Sequence, residues 1–88
     1  MKLVNDCTTV ELEGELILVP LGKVREKVHG IIRFNDTAAF IVCCLKEETT
    51  FTKIIDKVLT EYAVERSEAE KHVNDLVEKL RATGLIEE

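Results

Sequence analysis

The sequence predicts an α+β fold, a three-stranded antiparallel meander followed by three helices (β-β-β-α-α-α). Three observations lead there. Apolar residues alternate across 8–20, a short apolar strand runs into an apolar helix at 30–45, and two helical patterns fill 51–83.

Val10, Leu12, Leu16 and Leu18 recur at even positions, with Ile17 and Val19 in the other phase. Glu13-Gly14 interrupts the run, so 8–12 and 15–20 read as a hairpin with a tight turn. Pro20 and Gly22 stop the second strand. Residues 21–29 are basic and fit either a mobile loop or an extension of the next strand. Residues 30–34 (Gly30, Ile31, Ile32, Arg33 and Phe34) suit a third strand.

At Asn35-Asp36 the strand meets a helix, for which Asp36 is a good N-cap. From Thr37 to Leu45 the Thr37 hydroxyl is the one polar side chain. A helix apolar all round calls for cover on every side, so Phe40, Ile41 and Leu45 are expected to be almost wholly buried. Cys43 and Cys44 point about 100° apart on that helix and read as core packing. Thr49 or Thr50 can cap a second helix over 51–62. Its apolar positions Phe51, Ile54, Ile55, Val58, Leu59 and Tyr62 form one stripe. Ser67-Glu68-Ala69-Glu70 has the capping-box pattern and opens a third helix over 68–83. Ala69, Val73, Leu76, Val77 and Leu80 share its apolar face. Gly84 sits where a helix-ending glycine belongs, and Leu85 and Ile86 follow as an apolar tail.

Eighty-eight residues make one domain, spanning 1–88. The longest apolar run is far short of the roughly 20 residues a membrane helix needs. The first residues lack the apolar core of a signal peptide, which places the protein in the cytoplasm. A net charge of −5 argues against a general grip on nucleic acid.

No residue set carries catalytic chemistry. His29 and His72 are the two histidines, and neither faces a nucleophile–base partner in the pattern. Ser67, the single serine, is assigned to capping. The three cysteines and two histidines have no metal-ligand spacing, so neither a metal nor another cofactor is expected. A binding module is the better class than an enzyme. A meander has two edge strands, and the third strand offers its edge to an extended peptide. Ile31 and Arg33 lie on the phase opposite Ile32 and Phe34.

Ile32-Arg33-Phe34-Asn35-Asp36-Thr37-Ala38-Ala39-Phe40, the helix over 51–62 and the closing Leu80-Arg81-Ala82-Thr83-Gly84-Leu85-Ile86 stand in fixed order. Across residues 10–87 the chain resembles the PqqD-like proteins, small recognition elements of ribosomal peptide natural-product pathways. The resemblance implies a winged-helix-like fold that binds the leader segment of a precursor peptide. It implies presentation of that peptide to a modifying enzyme, often a radical SAM maturase. Carried over by position, Gly30, Ile31, Ile32, Arg33 and Phe34 would pair with the leader backbone. His72, Val73, Leu76 and Lys79 would line the groove.

Two other classes compete. A winged-helix DNA-binding regulator fits the element count, but Glu68, Glu70, Asp75 and Glu78 share the third helix with Lys71, Lys79 and Arg81 and would repel phosphate. A structural or oligomerisation domain is the other, since free edges also allow a homodimer.

Overall fold

The computed structural model describes residues 1–28 and 30–88. In chain order the elements are β1 (Lys2–Leu3), β2 (Cys7–Leu12), β3 (Glu15–Pro20), a 3-10 turn (Gly22–Glu26) and β4 (Ile32–Phe34). Helices α1 (Asp36–Cys44), α2 (Phe51–Glu61) and α3 (Arg66–Ala82) follow, then β5 (Ile86–Glu87). β2, β3 and β4 form an antiparallel sheet in that order, flanked by the three helices in a winged-helix-like α+β arrangement. Among the described residues no helix is long and apolar enough to cross a membrane.

The hairpin forms as the alternation predicts. Glu13 and Gly14 have φ of 53° and 81°, so the turn is of the two-residue mirror type whose twist matches that of paired strands. Leu16 and Leu18 pair with Phe34 and Ile32 and bury themselves in the core. The third strand is shorter than the expected 30–34. Extending the register would set Gly30 opposite Pro20, which has no N–H to give, and Gly30 leaves the extended region at φ 90°. Residues 21–28 are neither loop nor strand. They coil into the 3-10 turn, with Val24 N–H donating to Leu21 C=O at 3.2 Å and Lys27 N–H to Val24 C=O at 3.0 Å, and Val28 plugs into the core. His29 lies outside the described residues.

Asn35, not Asp36, caps α1. Its side-chain oxygen accepts the Ala38 N–H at 2.8 Å, and Asp36 becomes the first helical residue. Ile41, Val42 and Leu45 are wholly buried, each contributing roughly 1.5–3 kcal/mol. Phe40 departs from expectation. It is half-buried and meets the Tyr62 ring edge-on at 5.6 Å between centroids. Cys43 is exposed, contrary to expectation, while Cys44 is half-buried and packs against the core. Cover reaches α1 from β3, β4, α2 and α3, and the strip carrying Cys43 is left to solvent.

Thr50 caps α2, accepting the Lys53 N–H at 3.2 Å, and Ile54, Ile55 and Val58 form its buried stripe. α3 starts two residues before the expected boundary. Glu65 occupies the cap position without a side-chain bond, and Ser67 lies inside the first turn, so the capping box is not used. Its end is as the sequence foretells. Gly84 N–H donates to Arg81 C=O at 3.0 Å and Leu85 N–H to Leu80 C=O at 2.9 Å, the Schellman pattern, with Gly84 at φ 78°.

The sequence pattern did not reveal β1 and β5. Lys2 pairs with Glu87 and Leu3 with Ile86, while Leu3 N–H reaches Leu45 C=O at 2.8 Å. Leu3 and Leu85 join the core beneath this clasp.

Candidate functional site

Which backbone groups β4 leaves unpaired follows from the hairpin turn. In a two-residue turn the flanking residues, Leu12 and Glu15, exchange backbone hydrogen bonds. Bonding pairs then alternate, so Ile17 and Val19 also turn their N–H and C=O toward β2. Leu16 and Leu18 turn theirs toward β4 and bond with Phe34 and Ile32. Arg33, between them, therefore directs its N–H and C=O away from β3, along an edge that no other strand covers among the described residues.

Side chains sort the same way. Those of Ile32 and Phe34 lie on the core face with Leu18 and Leu16, while Arg33 lies on the outer face and is exposed. Ile31, just before the strand, is 51% exposed.

A second wall stands beside this edge. The groove, about 310 Å³, is bounded by Ile32, Arg33, Phe34 and the first turn of α1 on one side and by Leu76, Lys79, Leu80 and Thr83 of α3 on the other. It is mostly apolar. It runs on through Asn35 and Ala38 into a smaller recess of about 120 Å³ that reaches Thr37 and His72.

Of the residues singled out from sequence, the structure gathers Ile32, Arg33, Phe34, Leu76 and Lys79 on the main groove, with His72 at its far end. Val73 is wholly buried and packs in the core, one helical step from the groove wall. Gly30 and Ile31 border another cleft, about 490 Å³, shared with Val19, Pro20 and Arg25 at the end of the same edge. Ala38, Asn35 and Thr83 were missed as lining residues. The run of small side chains at Thr37-Ala38-Ala39 was the available signal, because small residues at a helix start leave room beside it.

Charge on the groove is basic. Arg33 makes a loose, exposed ion pair with Glu15 at 3.8 Å, and Lys79 has no ion-pair partner among the described residues. His72 Nε2 lies 3.8 Å from Glu68. Neither Cys7 nor Cys44 is tuned toward a nucleophile. Burial pushes Cys7 up, with Asp6 adding to it. Burial also raises Cys44, with Cys43 adding and Lys57 opposing. A raised thiol stays protonated and unreactive. Among the described residues no group of three or more His, Cys, Asp or Glu side chains is placed to hold a metal ion.

Two solved structures share the fold. One, described as TbiB1 in complex with the TbiA(beta) leader peptide, aligns with a TM-score of 0.82 at 22% identity, covering 99% of this chain and 95% of that one. The other, lasso peptide synthetase B1 complexed with the leader peptide, aligns at 0.76 with 26% identity, covering 96% and 93%. No curated protein sequence matches the chain. The model of the family described as coenzyme PQQ synthesis protein D (PqqD) matches residues 15–86, which takes in β3, the open edge of β4 and the α3 wall beside it. With that match over most of its length, the chain belongs to the PqqD family.

Proposed function

We propose that the chain acts as one PqqD-like recognition unit, a non-catalytic module that binds the leader segment of a ribosomally made precursor peptide. The leader adds as a strand to β4, bonding to the outward N–H and C=O of Arg33. Its alternate side chains enter the groove against α3. The observation that carries this is the open edge of β4 lying over an apolar groove, two complementary features at one place. The leader complexes of TbiB1 and lasso peptide synthetase B1 support it from outside the chain.

The module hands the bound peptide to a modifying enzyme, a radical SAM maturase in the commonest arrangement, and works in the cytoplasm, where ribosomal precursors are made. Two copies paired edge to edge through β4 would form a homodimer that competes with the peptide for the same backbone groups.

The test is a titration with the leader of any short precursor reading frame that neighbours this gene, followed by amide NMR. Shifts gathered on residues 31–35 and 72–83 are the expected result. Shifts gathered on β2 or α2 instead would place the site elsewhere, and no shifts at all would remove the proposal.

A further inference from the structure

The chain carries 17 acidic and 12 basic residues, yet among the described residues the charged side chains on the main groove, Arg33 and Lys79, are both basic. They stand on opposite walls. Each is exposed, and among the described residues the one contact between them and an acid is the 3.8 Å approach of Arg33 to Glu15. Local charge opposite in sign to that of the whole molecule attracts an acidic partner.

The register says where that acid sits. Arg33 turns its backbone outward, so in an antiparallel addition the ligand residue directly opposite exchanges hydrogen bonds with it and lies on the same outer face of the extended sheet. Side chains so paired are close enough for an ion pair. The ligand residues on either side alternate to the other face. There they meet Ile32, Phe34, Ala38, Leu76 and Leu80, an apolar lining. We infer that the strand taken up on β4 carries an acidic residue opposite Arg33, flanked on both sides by apolar residues. Lys79, on the far wall, adds to the attraction without a fixed partner. This rests on strand addition at β4 as proposed above and names the peptide chemistry that site selects.

Random peptides long enough to form one strand, displayed on phage, are selected against the full chain and in parallel against Arg33→Glu and Lys79→Glu. The wild-type chain is expected to enrich apolar–Asp/Glu–apolar triads. Arg33→Glu is expected to replace the central acid by Lys or Arg, and Lys79→Glu to weaken the acid preference without reversing it. In a selected peptide made synthetically, Glu→Gln at the centre should weaken binding by about two- to fivefold, the size of an exposed ion pair. Apolar residues enriched with no central preference would overturn the inference while leaving peptide uptake intact. So would an acid preference that Arg33→Glu does not change. Failure of any peptide to enrich over the starting library, together with no binding of a neighbouring precursor's leader, would overturn strand addition itself.

Discussion

β2 and β4 are the two edges of one sheet and differ in everything except the open backbone they share. β2 is six residues long, and by the same alternation Thr9 and Glu11 direct their backbone groups outward. β4 is three residues long, ends where Pro20 has nothing to donate, and has α3 standing beside it. An edge alone offers hydrogen bonds to any extended chain. An edge with a second wall also offers side-chain pockets, and pockets are what make strand addition selective. The helix, more than the strand, is what makes β4 a candidate site.

Proline substitution tests the backbone half of that contrast most sharply. Ile32→Pro removes a donor that bonds to Leu18 and should cost about 2–4 kcal/mol of stability in urea denaturation. Arg33→Pro removes an outward donor and should cost about 1 kcal/mol or less. The reverse order would mean that the wrong residues face the free edge.

The two positions on α3 separate wall from core. Val73→Ala should lose about 2 kcal/mol of stability and leave leader affinity within about twofold. Leu76→Ala should weaken leader binding by about three- to tenfold with a smaller change in melting temperature, because its side chain is only half-buried. Equal effects of both on binding would show that the groove reaches deeper than its lining.

Matched prolines on the two edges come next. Arg33→Pro should weaken leader binding by about tenfold, as expected for a lost hydrogen bond and an obstructed strand, and Thr9→Pro on β2 should leave it within about twofold. Calorimetry reads both, and equal losses would erase the distinction between the edges. The smallest effect is electrostatic. Lys79→Glu should change stability by less than about 0.5 kcal/mol and weaken leader binding by about two- to fivefold at low salt. That difference should shrink as ionic strength rises; a salt-independent loss would point to a contact other than charge.

Where one face of an element had to be apolar, the sequence was easy to read. The Phe51, Ile54, Ile55 and Val58 spacing located α2, the alternation located the hairpin, and Gly84 located the end of α3. Uniform apolarity was harder. The stretch through Phe40 and Cys43 tells that a helix is largely covered but not which strip stays open, because no polar residue marks it. Cap positions slipped for a local reason. Asn35 and Asp36 are adjacent and equally able to cap, and Ser67 lost its role when α3 began at Arg66.

The candidate groove was legible up to one helical step. Leu76 and Val73 belong to one apolar face, and only the position of β4 decides which of them meets the groove. The β1–β5 pairing was invisible because two-residue strands leave no period to detect.

That clasp has a kinetic consequence. Lys2 and Glu87 meet across nearly the whole chain, so closing them carries the largest loop entropy of any pairing in the molecule, for two residues of ladder on each side. Such a seam forms after the hairpin and the helices and opens before them. Amide hydrogens at Leu3 and Val4 should therefore exchange with solvent ahead of those in β3, although Leu3 is as well buried as Phe34. Opening of this clasp would leave β4, the proposed binding edge, anchored to the local hairpin.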